Sequence, residues 1–556
     1  MNMTNYKELA EYIFQDVHET IADLEKRYPA RKLPSGAEVT RFAPSPTGFL
    51  HLGSLFTSLV AHKVAKDTNG VFYLRLEDTD TKREIEGSGE ELVRQLAYFS
   101  VAPEEGYLGN HDVGEYGPYR QSERAYIYRV CIKELMLKGR AYPCFCSAQE
   151  LEEIREIQEA NKEIPGYYGD YAICRNIEPN EALIRIKNGE PYVIRFRSLG
   201  NHNNKVIFHD EIRGDISIAE NDMDIVILKS DGLPTYHFAH AVDDHFMHTT
   251  TVIRGEEWIS SAPIHIELFD ALGFARPRYA HLPVIMKLDN GNKRKLSKRK
   301  DPEASVSHFI EGGYPAESLK AYLMSIANSN FEEWTAQNNC YDLDKFTFSF
   351  SKMSLDGVLF DQDKLNFFSK EVIALFSAED LYNRLVKWSE SFDEVLHKHL
   401  LDNKEISLKA LNIERGGEKA RKDFVCYKDV YPLIGFFYND RYAEIVKDGY
   451  PFNEKFSKET IVNLLNDFAE SNDYSLPNDL WFNSVKELGQ RHKFAESNKI
   501  YKQNPDSFIG HVGDVAEIIR VALVGAKNSP NLHSVLQILS KEEVNRRIKH
   551  TIEYLN

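Results

Sequence analysis

Apolar positions near the N-terminus, Leu9, Ile13, Val17, Ile21 and Leu24, recur at steps of three and four residues. They predict one amphipathic helix, ended by Lys32-Leu33-Pro34-Ser35-Gly36. The pattern then changes. Arg41-Phe42-Ala43 reads as the end of a strand, and Pro44 and Pro46 break any ladder. Thr47 offers a helix cap, Gly48 can take a positive φ, and after Gly53 the run Leu55, Leu59, Val60, Val64 has helical spacing. Val71–Leu76 is largely apolar and ends in charge, as a buried parallel strand should. It delivers Glu77, Asp78 and Asp80 at its C-terminal end, where ligands bind in such sheets; a salt-bridged acidic turn is the alternative for Asp78 and Asp80.

Further on, Ile127, Val130, Leu135 and Leu137 have helical spacing, and an acidic helix is expected over Ala148–Asn161. Strands are expected at Tyr192–Arg197, Val206–Asp210 and Ile225–Lys229, and His281–Met286 is strand-like. Leu319–Leu323 is helical in pattern, and from about Leu375 to Asn556 the chain reads as nearly all helix, with Leu532, Val535, Leu536 and Leu539 as one apolar stripe.

Length changes the picture first: 556 residues make several domains. The chain has no long apolar run for a membrane span. Met1–Lys26 lacks the features of a secretory signal, and six cysteines in so long a chain make no disulfide framework, so a reducing cytoplasm is expected. A formal charge of −17 argues against a blanket nucleic-acid binder, but a local positive track can still grip phosphates.

Chemistry concentrates in two stretches. His51 and Gly53 sit at a predicted helix start, where free backbone N–H groups and a positive dipole end suit phosphate. Far downstream, Lys293-Arg294-Lys295-Leu296-Ser297-Lys298-Arg299-Lys300 is a basic cluster in an acidic chain. Taken together they resemble the His-x-Gly-x and Lys-x-Ser-Lys signatures of class I aminoacyl-tRNA synthetases. Arg41 to about Leu375 resembles the glutamyl-tRNA synthetases through Arg41–His51, Leu74–Asp80, Gln121–Arg124, Ser230–Tyr236, Val252–Glu257 and Phe360–Leu365, and Arg520–Gly525 resembles the C-terminal part of the bacterial enzymes.

The resemblance implies an α/β protein. A class I Rossmann-like catalytic fold (39–118 and 233–300) is interrupted by an acceptor-binding insertion (119–232). A helical stem-contact region (301–375) and an all-helical anticodon-binding region (376–556) follow, and residues 1–38 are an N-terminal extension outside the family pattern. It implies glutamate–tRNA ligase activity: ATP with Mg2+ activates L-glutamate to an adenylate, which is passed to the terminal adenosine of tRNA-Glu, with tRNA-Gln left open. A cytoplasmic monomer is expected.

By position, His51 and Lys298 are the candidate catalytic residues, and His51, Gly53, Glu257, Trp258, Lys295 and Lys298 would bind ATP. Arg41, Ala43, Ser45, Glu77, Tyr236, His240 and Arg254 would bind glutamate; His240 stands where many relatives have Asn, and Ser54 replaces the second signature histidine. Arg41 and Arg254 would fork onto the two carboxylates and Glu77 take the ammonium. Cys144, Cys146 and Cys174 invite a zinc reading. A fourth ligand is missing at Asn176, Tyr167, Tyr168 or Tyr171 would have to supply it, and no metal is assigned. Two basic patches, Arg491-His492-Lys493 with Lys499 and Lys502, and Arg546-Arg547 with Lys549, are candidates for tRNA phosphates. A tRNA-modifying relative, a nucleotidyltransferase, a glutaminyl enzyme and an inactive regulatory homologue are the rival readings. The long helical C-terminus, the paired arginines and the intact signatures weigh against them.

Overall fold

The structure, a computed structural model, describes residues 3–80, 84–297, 300–416, 420–473 and 475–556. The chain forms two compact units, residues 1–308 with 320–361, and residues 309–319 with 362–556.

The first unit is built on five short strands. β1 (Val39–Phe42) pairs in parallel with β2 (Val71–Leu74), and β2 with β3 (Glu105–Tyr107). β4 (Thr251–Gly255) pairs in parallel with β5 (Arg278–Leu282). The Thr250 N–H donates to Val39 O (2.9 Å) and the Val39 N–H to Thr250 Oγ1 (2.8 Å), which sets β4 beside β1. The lateral order is therefore β3-β2-β1-β4-β5, and it reverses between β1 and β4, the place where doubly wound sheets bind ligands. Helix α1 (Leu52–Asp67) follows β1, α2 (Tyr236–Phe246) precedes β4, and α3 (Ala262–Leu272) joins β4 to β5.

The insertion contributes an antiparallel sheet of Ala141–Cys144, Val193–Phe196 and Val226–Leu228, and an acidic helix over Ala148–Ala160. A hairpin of Lys205–Asp210 and Gly214–Ala219 leaves that sheet and docks on β5, with Asp210 opposite Tyr279.

Three local expectations change. Leu9, Val17 and Leu24 are buried as expected, but they lie on two helices, Met3–Ile13 and Ile21–Arg27, or between them. Thr20 caps the second helix in a reciprocal capping box with Asp23, which starts a new helix where the apolar spacing alone would continue the old one. His281–Met286 is not one strand: Pro283 ends β5 at Leu282, and a second strand, Ile285–Asp289, turns back antiparallel through Asn292–Lys295. The cap of α1 is His51 and not Thr47.

The second unit is helical around a core that includes Leu381, Leu385, Phe436, Leu464, Leu523 and Leu536. Its described strands are two residues long, Phe494–Ala495 and Gly510–His511. The expected stripe of Leu532, Val535, Leu536 and Leu539 is buried.

The N-terminal extension is pinned at Arg31. Its guanidinium donates two bonds to Glu105 (2.8 and 2.6 Å) and one to Met247 O (3.0 Å), and it lies 3.9 Å from the Tyr116 ring centroid. Arg31 and Glu105 side chains are 7% and 13% exposed, so removing one strands the other away from water. Arg31→Ala is expected to cost about 3 kcal/mol in chemical denaturation of the first unit.

Candidate active site

The C-terminal ends of β1 and β4 open into one cleft of ≈ 630 Å³. Its wall includes Arg41, Ala43, Ser45, His51, Gly53, Ser54, Glu77, Tyr236, Arg254, Glu257, Trp258 and Lys295. The cleft therefore gathers residues predicted from five separate stretches of chain. Two predicted site residues are not among them. His240 is fully buried behind the cleft, stacked on Tyr236 (ring centroids 6.1 Å) with its Nε2 3.2 Å from the Tyr279 hydroxyl, so it supports the wall and does not line it. Lys298 lies outside the described residues.

One end of the cleft is built from a helix start. The turn after β1 bends through Gly48 at φ +125°, a conformation that favours glycine. His51 then caps α1, its Nδ1 accepting from the Gly53 N–H at 3.0 Å. That bond leaves the ring proton on Nε2, so the imidazole presents a donor. A Cβ at position 53 would stand 3.3 Å from His51 Nδ1, so glycine keeps both the cap and the backbone approach. On the facing hairpin, Lys295 Nζ pairs with Glu257 Oε1 at 3.0 Å.

The other end rests on buried charge. Arg41 Nε donates to Asp244 (3.2 Å), and its NH1 to Ile253 O (3.3 Å). Arg75, wholly buried, bonds Asp244 (2.6 Å) and Glu77 (3.1 Å). Arg124 bonds Asp243 (2.6 Å), which also accepts from Tyr128 (2.8 Å) and Gln121 (2.9 Å). Burial would raise the Asp244 carboxyl, but Arg41 and Arg75 hold it well below the usual carboxylate range. For Glu77 burial wins over the pull of Arg75 and Arg41, and its carboxyl is pushed up to about 7. Arg254, 5% exposed, donates to His281 Nε2 (3.0 Å), His265 Nδ1 (3.1 Å) and Trp258 O (3.4 Å).

Sequence reasoning missed Arg75, Asp243, Asp244, His265 and His281 as parts of this site. The two aspartates serve arginines, and the adjacent His245 stacks on Phe274 (3.5 Å, 3°). Asp78 follows the acidic-turn alternative: it accepts from Ser122 N (2.8 Å), Ser122 Oγ (2.6 Å) and Arg120 Nε (3.1 Å).

Away from the cleft, the Cys144, Cys146 and Cys174 sulfurs lie within 4.8 Å of one another. The Tyr167 hydroxyl is 3.4 Å from Cys144 Sγ and 3.2 Å from Cys146 Sγ. Tyr168 and Tyr171 bond elsewhere, to Ile164 O and Glu163, so of the three only the Tyr167 hydroxyl reaches the sulfurs, and it also accepts from the Cys174 N–H at 2.9 Å. The Cys146 and Cys174 sulfurs are 3.6 Å apart.

The raised Glu77 carboxyl gives a measurable consequence. An amino acid whose ammonium meets Glu77 needs it ionised, so binding near pH 7 should release a proton, and affinity should fall below that pH. Calorimetric titration in two buffers of different ionisation enthalpy should show a buffer-dependent heat in the wild type and none in Glu77→Gln. A buffer-independent heat in the wild type would place the ammonium elsewhere.

The comparisons agree with this geometry. Residues 38–367 match the family model of the class I tRNA synthetases (E and Q), catalytic domain, and residues 506–552 match an anticodon binding domain model. Curated glutamate–tRNA ligases of Clostridium beijerinckii and Acetivibrio thermocellus are each 45% identical, over 98% and 99% of this chain and 99% and 100% of their own. A crystal structure of a glutamate tRNA ligase from Elizabethkingia meningosepticum in complex with its amino acid superposes with a TM-score of 0.74, at 30% identity over 93% of this chain and 100% of that one. Family models, full-length relatives and a solved structure thus agree, and the chain belongs to the glutamate–tRNA ligase family of class I aminoacyl-tRNA synthetases.

Proposed function

We infer that the chain is a glutamate–tRNA ligase, which activates glutamate with ATP and transfers it to tRNA. One observation carries this from the chain's own geometry. Two guanidiniums and a carboxylate stand at one end of a cleft whose other end is a capped helix start facing a lysine-bearing hairpin. The first end suits an amino acid with two carboxylates and one ammonium; the second suits the phosphates of a nucleotide.

In this reading Arg41 and Arg254 take the carboxylates, Glu77 the ammonium, and Ala43, Ser45 and Tyr236 close the amino-acid pocket. Glutamate's α-carboxylate attacks the α-phosphate of ATP and pyrophosphate leaves. Little covalent work falls to the protein; the gain comes from alignment and from charge set where the transition state needs it. The His51 Nε2–H donates toward the phosphates, Gly53 admits the nucleotide to the helix start, and Trp258 and Glu257 flank the adenosine. Lys295 exchanges Glu257 for phosphate oxygens, and Lys298 neutralises the departing pyrophosphate. Mg2+ enters with ATP and offsets phosphate charge; no residue of the chain is assigned to it. The acceptor is tRNA-Glu, the chain acts as a cytoplasmic monomer, and tRNA-Gln is the alternative acceptor. Among the described residues no helix is long and apolar enough to cross a membrane.

Glutamate-dependent exchange of pyrophosphate into ATP, run with and without purified tRNA-Glu, tests the activity. Lys298→Ala should slow activation by about a hundredfold with glutamate affinity little changed, the pattern of a contact made in the transition state. Unaltered single-turnover activation in that variant would remove Lys298 from the mechanism.

The basic patches divide on inspection. Arg547 is fully buried, bonded to Glu543 (2.6 Å) and Leu523 O (2.7 Å) and lying 3.9 Å from the Tyr442 ring centroid, so it is structural. Arg491 and His492 share Asp467 (3.0 Å each), whereas Lys493, Lys499 and Lys502 are exposed. Replacing those three lysines by glutamine should weaken tRNA binding and flatten its log–log salt slope by about 2 to 3, near 0.9 per phosphate lost. Filter binding across a salt series reads both; an unchanged slope would move the tRNA contact off this face.

A further inference from the structure

The two pocket arginines are held in opposite ways. Arg41 shares Asp244 with Arg75, so much of its charge is already answered within the protein. Arg254 has no carboxylate within 4 Å among the described residues, although it is 5% exposed. Among the described residues, the groups bonded to it or stacked on it are neutral: two imidazole nitrogens, the Trp258 carbonyl and the face of the Tyr279 ring, 4.8 Å from its guanidinium carbon.

The tautomers follow from the donors. A guanidinium can only donate, so His281 Nε2 and His265 Nδ1 must both be lone pairs. His281 then carries its proton on Nδ1 and gives it to Asp210 at 2.7 Å. Asp210 is held in turn by the backbone N–H groups of Ile212, Arg213 and His281, at 3.0, 3.0 and 3.1 Å. His265 carries its proton on Nε2 and gives it to His237 Nδ1 at 2.9 Å. Both cradle histidines are fully buried, which disfavours their charged forms.

We propose that His265 and His281 are positioning residues that orient Arg254 through neutral acceptors and thereby reserve its charge for a carboxylate of the substrate. This rests on the reading that the cleft takes glutamate. A carboxylate in either place would hold the guanidinium equally well by hydrogen bonds, yet it would compete with the substrate as a permanent counter-ion. The cradle thus separates two jobs that an ion pair would merge, fixing the fork and leaving it charged.

An isosteric pair tests the charge alone. His265→Asn and His265→Asp both place an oxygen near the Nδ1 position and both lose the link to His237; they differ only in charge. Pyrophosphate exchange should show the Asn variant within about tenfold of the wild type in glutamate KM. The Asp variant should be raised about thirtyfold or more beyond it, with ATP KM and the thermal midpoint alike in the two. Equal glutamate KM in the Asn and Asp variants would overturn the proposal. If His265→Asp does not fold, His281→Gln, which keeps an acceptor at the Nε2 position, should hold glutamate KM while His281→Leu raises it at unchanged ATP KM; equal values would likewise overturn it. Wild-type protein without glutamate-dependent exchange would instead sink the ligase reading, so the two failures are distinct.

Discussion

Two adjacent aspartates on α2, Asp243 and Asp244, carry the organisation of the catalytic unit. Both are almost wholly removed from water, and between them they answer Arg41 from β1, Arg75 from the end of β2 and Arg124 from the start of the insertion. Such a cluster is expensive to bury and worth little as net stability. Its effect is geometric. Each arginine can satisfy its fork only if strand, helix and insertion meet at one depth. Loss of any one carboxylate would leave a guanidinium stranded, at about 3 to 5 kcal/mol. Glu77 sits at the edge of the same cluster, where burial outweighs the pull of Arg75 and Arg41 and raises its carboxyl.

How far this was legible in the sequence follows from distance along the chain. The strand–turn–helix around His51 was readable because every signal, two prolines, a glycine and an apolar helical repeat, lies within a few residues. The insertion strands were readable for the same reason. Arg75 and Asp244 were not, since the bond that gives them meaning spans 169 positions. His240 was placed by correspondence at the pocket surface, whereas its ring packs between Tyr236 and Tyr279, one layer deeper. Two misreadings had signals in plain view. Thr20 and Asp23 are spaced as a capping box, and a proline at 283 cannot continue a paired strand. The C-terminal basic patches show the limit of counting charges: Arg547 reads as a tRNA contact in the sequence and is a buried strut in the fold.

The lysine hairpin adds a dynamic element to a rigid frame. Lys295 and Glu257 are 57% and 47% exposed at their side chains, so their pairing is worth at most about 1 kcal/mol. A contact of that size can order the hairpin against the cleft wall and still give way to a polyphosphate. Arg294, one residue before, is tied to Asp301 by two bonds (2.6 and 2.8 Å) and to Asp289 (2.6 Å), a firmer anchor than the Lys295 pair.

The hairpin of Lys205–Asp210 and Gly214–Ala219 carries a further consequence. It arises in the insertion, yet its Asp210 fixes the tautomer of His281 on β5, and through it the fork of Arg254. The insertion is therefore not a detachable module. A chimera that exchanged it between two relatives would have to transplant Asp210 and His281 as an inseparable couple, since either alone would leave the Arg254 fork without its fixed acceptor.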